Sequence, residues 1–359
     1  MPTPICYAVI MAGGSGTRFW PASRKALPKQ FLPIAGKRAL ITETAARLRG
    51  LVPIERVLVV TGAVHAPLVK KHLRGLPPEN VLCEPLGRNT APCVAWAAAE
   101  IERREPRSVQ IVLPSDQVIE PAKEFRSVLA SAVEEAAENA CLITLGIRPT
   151  EPATGYGYIE AGALLGQRKH AAIHAVTRFV EKPDRARAES FLSTGRFLWN
   201  SGIFIWSTPA ILAALAEHVP ATLAGARELV RTRTSEALAR IYPTLAAQAI
   251  DVAVLEQANN VRVVPVSFRW NDVGSWTALP EVHAQDEQRN TSAGGALLLA
   301  EEASGCVTYG PKGELVALLG VHDLIVVHAG KVTLVCPKER AQEVRRLVQA
   351  LERLAPERI

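Results

Sequence analysis

Along the first 150 positions, short runs of consecutive apolar, β-branched residues alternate with stretches whose apolar residues recur every three or four places. The runs at 5–11, 56–60, 109–113 and 141–147 read as strands. Between them, Phe125, Val128, Leu129, Ala132 and Val133 share one helical face, and Leu40, Ile41, Thr44 and Leu48 share another that Gly50 closes. This alternation predicts an α/β fold, a Rossmann-like and mostly parallel sheet with helices on both faces. Such sheets bind ligands outside the carboxyl ends of their strands, so the residues just after each strand are the candidates for chemistry.

Further strands are expected at 174–180, 203–206 and 261–268, with an Ala/Leu-rich helical insertion at 209–249 walling off part of the pocket. Beyond about residue 290 the pattern changes. Five short apolar runs punctuated by glycine (296–299, 306–309, 315–319, 324–327 and 332–335) precede a charged amphipathic helix at 338–354. They predict a small all-β unit, a β-helix-like coil of rungs, without a sequence repeat of fixed length. The expected division is a catalytic domain over 1–285 and a C-terminal β domain with its terminal helix over 290–359, joined by a polar stretch.

Length and composition narrow the class. A chain of 359 residues is long enough for two cores, and 48% hydrophobic with 21% charged residues excludes a disordered or fibrous chain. No apolar run approaches the ~18 residues that span a bilayer. The N-terminus lacks secretory-signal features, and the six cysteines are scattered without zinc spacing. The expectation is a cytoplasmic protein with no membrane partner. The net charge of +6 has no basic block behind it, which suits an anionic small molecule and not a nucleic acid.

The strongest chemical signal follows the first strand: Ala12-Gly13-Gly14-Ser15-Gly16-Thr17-Arg18-Phe19-Trp20-Pro21. Three glycines in four positions let the backbone bring N–H groups to an anion, and Arg18 adds a planar cation suited to phosphate. The P-loop pattern fails because Thr17-Arg18 follows Gly16 where Lys-Ser/Thr is required. The dinucleotide pattern fails because Phe19 stands at its third glycine. A bare strand-to-helix turn is the competing reading, but Arg18 and the nearby Pro28-Lys29-Gln30 favour an anion site.

Ser115-Asp116 ends an apolar strand, where Asp116 serves equally as a ligand-edge carboxylate or a helix cap. Asp272, before Gly274, is a turn residue or a second carboxylate; two such oxygens converging on one site would suit Mg²⁺. In Val180-Glu181-Lys182-Pro183, strand alternation would send Glu181 and Lys182 to opposite faces unless the chain twists at the proline. Their alternative is a surface ion pair. Asn200 reads as a sugar-hydroxyl amide or a turn residue, and the loop around Gly157 as a ligand approach or a hairpin.

Together these residues resemble the sugar-phosphate nucleotidyltransferases, within them the branch that joins GTP to mannose 1-phosphate. The resemblance covers nearly the whole chain. It rests on residues 13–21, 28–31 and 88–92, Pro114-Ser115-Asp116, residues 154–158, 179–183 and 199–202, and Asn271-Asp272-Val273-Gly274-Ser275-Trp276. It implies that Ala12, Gly13, Gly14, Gly16, Thr17, Arg18 and Ser115 hold the nucleotide, with Asn89 and Thr90 near its base. Gly157, Glu181, Lys182 and Asn200 would hold the sugar phosphate, and Asp116 and Asp272 the Mg²⁺ cofactor, while Arg18, Lys29 and Lys182 would act on the reacting phosphates. It also implies GTP and mannose 1-phosphate as substrates, a homodimer, and no isomerase step of the kind carried by longer, two-function relatives. Three alternatives stay open: another sugar or base, for example a different hexose 1-phosphate; a non-catalytic homologue that binds a nucleotide sugar and controls a partner subunit; and a nicotinamide dehydrogenase, which would need the failed third glycine and an acidic ribose reader.

Overall fold

The structure, a computed structural model, describes residues 4–14, 16–355 and 358; Ser15 of the glycine-rich run lies outside them. The strands of the larger part are β1 (Cys6–Ala12), β2 (Val57–Gly62), β3 (Val81–Glu84), β4 (Val109–Pro114), β5 (Val118–Glu120), β6 (Leu142–Ile147), β7 (Tyr158–Arg168), β8 (Ala171–Val180), β9 (Phe197–Ser207), β10 (Val261–Val266) and β11 (Arg269–Asn271). Its helices are α1 (Leu40–Arg47), α2 (Ala66–His72), α3 (Thr90–Arg104), α4 (Ala122–Glu138), α5 (Arg185–Thr194), α6 (Thr208–His218), α7 (Pro220–Thr232) and α8 (Ser235–Ile241).

Nine strands form one sheet in the order β3-β2-β1-β4-β9-β6-β10-β8-β7, in which β8 and β9 run against the rest. The sheet is therefore mostly parallel. Its apolar runs are continuous because both faces are covered. Helices α3 and α6 to α8 bury one face, with Trp206, Tyr242 and the alanines of α3 at its core. Helices α1, α2, α4 and α5 bury the other around Phe125, Leu129 and Phe191. The chain order reverses between β1 and β4, which opens a crevice beyond their carboxyl ends.

Of the remaining strands, β12 (Thr291–Ala293), β13 (Leu297–Glu301), β14 (Val307–Tyr309), β15 (Leu315–Leu319) and β16 (Leu324–Ala329) coil as parallel rungs, and β17 (Val332–Pro337) turns back antiparallel on β16. Thr291 pairs with Val307 and Val307 with Ile325, while Leu297 pairs with Leu315. The ladder recurs although the sequence carries no fixed repeat, because a rung needs an inward apolar side chain and not a particular residue. This unit shares a core with the crevice loops. Phe19, Trp20, Val273 and Trp276 pack with Tyr309, Ile325, Val327 and Val344, and the Trp276 ring meets Phe19 at 4.8 Å and Tyr309 at 5.2 Å.

Candidate active site

A cleft of about 490 Å³ lies at the switch point, and most of the sequence candidates line it: Gly13, Gly14, Gly16, Thr17, Arg18, Lys29, Asp116, Gly157, Glu181, Asn200 and Asp272. Gly16 is left-handed, and a Cβ there would stand 2.7 Å from the backbone nitrogen of Lys29, so no other residue lets the turn close this tightly. Ala12 is fully buried and supports the turn through its carbonyl, which accepts from Gln30 Nε2 and Thr61 Oγ1, both at 2.9 Å. Arg18 reaches across to the Gly274 carbonyl at 3.5 Å and is exposed.

Lys29 is buried, and its ammonium lies 2.8 Å from Asp116 Oδ2 while donating to the carbonyls of Asp272 and Val273. Asp272 Oδ1 accepts a 2.6 Å bond from the Tyr156 hydroxyl, whose ring is wedged between Trp199 and Trp270. Burial and the Asp272 charge push the Tyr156 pKa upward, which keeps its proton on the donor side of that bond. Val273, fully buried at φ 48, is a strained position for a β-branched residue; the Asn271 side chain and Lys29 hold it there.

On the opposite wall Gly157 is the point of closest approach. A Cβ there would meet Glu181 Oε2 at 2.6 Å and Asn200 Cβ at 3.3 Å. The Asn200 amide oxygen accepts from Thr144 Oγ1 (2.9 Å) and Gly202 N (3.2 Å), and its amide nitrogen donates to Asp251 Oδ1 (2.7 Å). Glu181 and Lys182 do not point to opposite faces as strand alternation predicts. The chain turns left-handed at Lys182 (φ 45), and the two side chains form an ion pair. Lys182 is exposed and lines an adjoining groove of about 1390 Å³, where Arg18, Arg148, Arg185, Arg269 and Arg345 also lie.

Besides Ala12 and Lys182, three further candidates lie off the cleft wall. Asn89 caps α3 by accepting from Thr90 N, and Thr90 Oγ1 accepts from Ile250 N at 2.8 Å. Ser115 is buried between Pro114 and Asp116, which do line the cleft. Sequence reasoning missed Gln30, Tyr156, Asp251 and Glu84. Glu84 ends β3 as a buried carboxylate that accepts from the Tyr242 hydroxyl, with one oxygen 3.7 Å from where a Cβ on Gly13 would stand. Burial raises its pKa. An acidic residue closing a strand was the available signal, the same one that marks Asp116.

Asp116 and Asp272 supply hard oxygen donors on one cleft, and no group of three or more His, Cys, Asp or Glu residues fit to hold a metal exists among the described residues. Two carboxylates leave most of a divalent ion's shell to phosphate and water, which suits a cation that arrives with a nucleotide. No helix among the described residues is long and apolar enough to cross a membrane.

A parallel sheet with a glycine turn, cations and a carboxylate pair at its switch point defines an enzyme that transfers nucleotidyl groups. The chain belongs to the nucleotidyl transferase family, whose model matches residues 7–289, and residues 299–351 match the MannoseP isomerase/GMP-like beta-helix domain. It is 38% identical over 351 residues to the mannose-1-phosphate guanylyltransferase of Klebsiella pneumoniae, covering 96% of this chain and 73% of that protein. It is 36% identical to the alginate biosynthesis protein AlgA of Pseudomonas aeruginosa, covering 96% of this chain and 72% of that one. A crystal structure from Thermus thermophilus, described as a mannose-1-phosphate geranyltransferase, superposes with a TM-score of 0.87 at 37% identity, covering 97% of this chain and 99% of the other. Enzymes of this type take a nucleoside triphosphate and a sugar phosphate, and generally use a divalent metal.

Proposed function

We propose that the protein transfers a guanylyl group from GTP to mannose 1-phosphate, forming GDP-mannose and pyrophosphate. The observation that carries this reading is the convergence in one cleft of two unlike half-sites. The glycine turn with Arg18 and Lys29 is built for phosphates, and Gly157, Glu181 and Asn200 form a hydroxyl-reading wall. The sugar and base are those in the names of the relatives.

In this reading a phosphate oxygen of the sugar phosphate attacks the α-phosphorus, and pyrophosphate leaves in line. The nucleophile is already anionic, so the chain needs no general base. Its work is to bring two polyanions together and to neutralise charge on the transferring group. The turn from Gly13 to Thr17 and Arg18 cradles the nucleotide phosphates. Lys29 fixes the positions of Asp116 and Asp272, and Lys182 clamps the incoming sugar phosphate. Mg²⁺, held by Asp116 and Asp272, would supply further charge neutralisation on the phosphates. Buried Glu84 turns Oε2 toward Gly13 while Oε1 accepts from Tyr242, so it sets an anionic acceptor where the adjacent N1–H and N2–H donors of guanine could be read.

The exposed leucines of the rung unit, Leu297, Leu299, Leu315 and Leu319, support a homodimer formed through that face. Pyrophosphate release is the test of the reaction, measured with GTP and each other nucleoside triphosphate against mannose 1-phosphate and glucose 1-phosphate. Release with GTP and the manno sugar is expected to exceed every other pairing. Failure to release pyrophosphate from any pairing refutes the reading.

A further inference from the structure

Among the described residues that line the cleft, Asp251 is the carboxylate to which none of the phosphate half-site, the metal pair and the Gly157–Glu181–Asn200 wall has yet given a role. It follows the helical insertion, and the segment that carries it is tied down on two sides. Ala91 N donates to the Gln248 carbonyl (2.9 Å) and Ile250 N to Thr90 Oγ1 (2.8 Å). Five residues on, Glu256 accepts from Glu181 N (2.9 Å). Ile250, Val254 and Leu255 are buried beneath it. Asp251 is therefore held in place by the fold and projects into the wall formed by Gly157, Glu181 and Asn200.

The hydrogen-bond inventory of that wall is lopsided. The Asn200 oxygen is used by two protein donors and one of its N–H groups by Asp251, so Asn200 has one donor left to offer a ligand. Among the described residues, Asn200 is the one side chain hydrogen-bonded to Asp251, and a carboxylate can accept several bonds. Among the described residues no cation pairs with Asp251 at ion-pair distance, although Lys182 lies near enough to act on its charge and is itself paired with Glu181. Desolvation and the Glu181 charge lift the Asp251 pKa to about 6. Holding Asn200 alone would need only a neutral acceptor, without the cost of a buried charge. Two neighbouring carboxylates repel a phosphate, whereas a neutral ring carrying several hydroxyls supplies the donors both can use.

We infer that Asp251 is a substrate-reading residue for the hexose, accepting a hydrogen bond from one ring hydroxyl in the pocket it shares with Gly157, Glu181 and Asn200. This rests on the sugar-phosphate reading above. A bond from a hydroxyl to a buried carboxylate discriminates by on the order of 10- to 100-fold in KM.

The test is steady-state kinetics of the full chain and of Asp251→Asn, with GTP and mannose 1-phosphate and then with its 2-, 3-, 4- and 6-deoxy analogues. Asn at this position still accepts from Asn200, so a purely structural role survives the change. The expected result is a KM for mannose 1-phosphate raised on the order of 10-fold or more, with KM for GTP within about twofold of the wild type. For one deoxy analogue alone the wild type and variant should coincide. Asp251→Ala should reproduce the pattern if Asp251→Asn does not fold. An unchanged sugar-phosphate KM overturns the inference, as does an equal penalty across every deoxy analogue. Absence of pyrophosphate release by the wild type would instead sink the reaction itself.

Discussion

The ammonium of Lys29 sits 2.8 Å from the Asp116 carboxylate and bonds the backbone carbonyl of Asp272 at 3.0 Å, so one cation ties together the two strand ends that carry the candidate metal ligands. Lys29 itself enters through the short turn that packs against Gly16. Replacing it with Met keeps the volume and removes three polar contacts. Asp116 is about one-third exposed, so the ion-pair part of the loss is modest, and we expect about 1–3 kcal/mol of destabilisation by urea unfolding. Turnover should fall at least on the order of 100-fold. A variant that kept wild-type turnover would remove Lys29 from the machinery.

Asp116→Asn and Asp272→Asn should each abolish metal-dependent turnover, since each removes one of the two carboxylate charges that would hold the ion. Tyr156→Phe is the finer probe. It leaves both carboxylates and removes the 2.6 Å bond that orients Asp272. Losing such a support typically costs about 10- to 100-fold in metal affinity. The expected signature is a raised Mg²⁺ requirement with near-normal turnover at saturating Mg²⁺. Wild-type rates at limiting Mg²⁺ in either Asn variant would refute the metal site.

Lys182 is exposed and pairs with Glu181 across a left-handed turn, so in the free enzyme it contributes little to stability. Lys182→Ala should therefore leave the melting temperature close to wild type. It should weaken use of the sugar phosphate far more than binding of GTP. Equal losses for both substrates would refute its assignment to the sugar phosphate.

How much of this the sequence discloses depends on whether a residue's role is set locally. The run of β1 reads as a strand because every one of its residues lies between two packed faces, and the helical face of α4 reads directly from its spacing. The rim of β7 does not, since its second half is exposed and carries no alternation. The direction of Lys182 and the strain at Val273 depend on left-handed backbone that no residue type signals there. Asp251 looks like one more acid in a helical stretch; only the docking of that stretch against α3 and β9 delivers it to the cleft.

The rung unit presents Leu297 at 71% and Leu315 at 60% exposure, side by side on paired strands. A monomer rarely keeps such a stripe in water. Leu297→Asp combined with Leu315→Asp should convert a dimer to a monomer by light scattering, with the cleft, which neither leucine lines, left intact. A wild-type chain that is monomeric at micromolar concentration would end the dimer proposal.

Glu84 carries the remaining prediction. Its carboxylate is buried at the end of β3, receives the Tyr242 hydroxyl, and stands next to the bare Cα of Gly13. A guanine laid against that glycine would present two N–H donors to it, whereas hypoxanthine, lacking the exocyclic amine, presents one. Glu84→Gln keeps an acceptor for Tyr242 and so should fold, but it turns one acceptor toward the base into a donor. The wild type should prefer GTP to ITP on the order of 10-fold or more, and Glu84→Gln should raise KM for GTP while shrinking that preference toward unity. An unchanged GTP-to-ITP ratio in the variant would mean that the base is read elsewhere, with Asn89 and Thr90 at the start of α3 the next residues to replace.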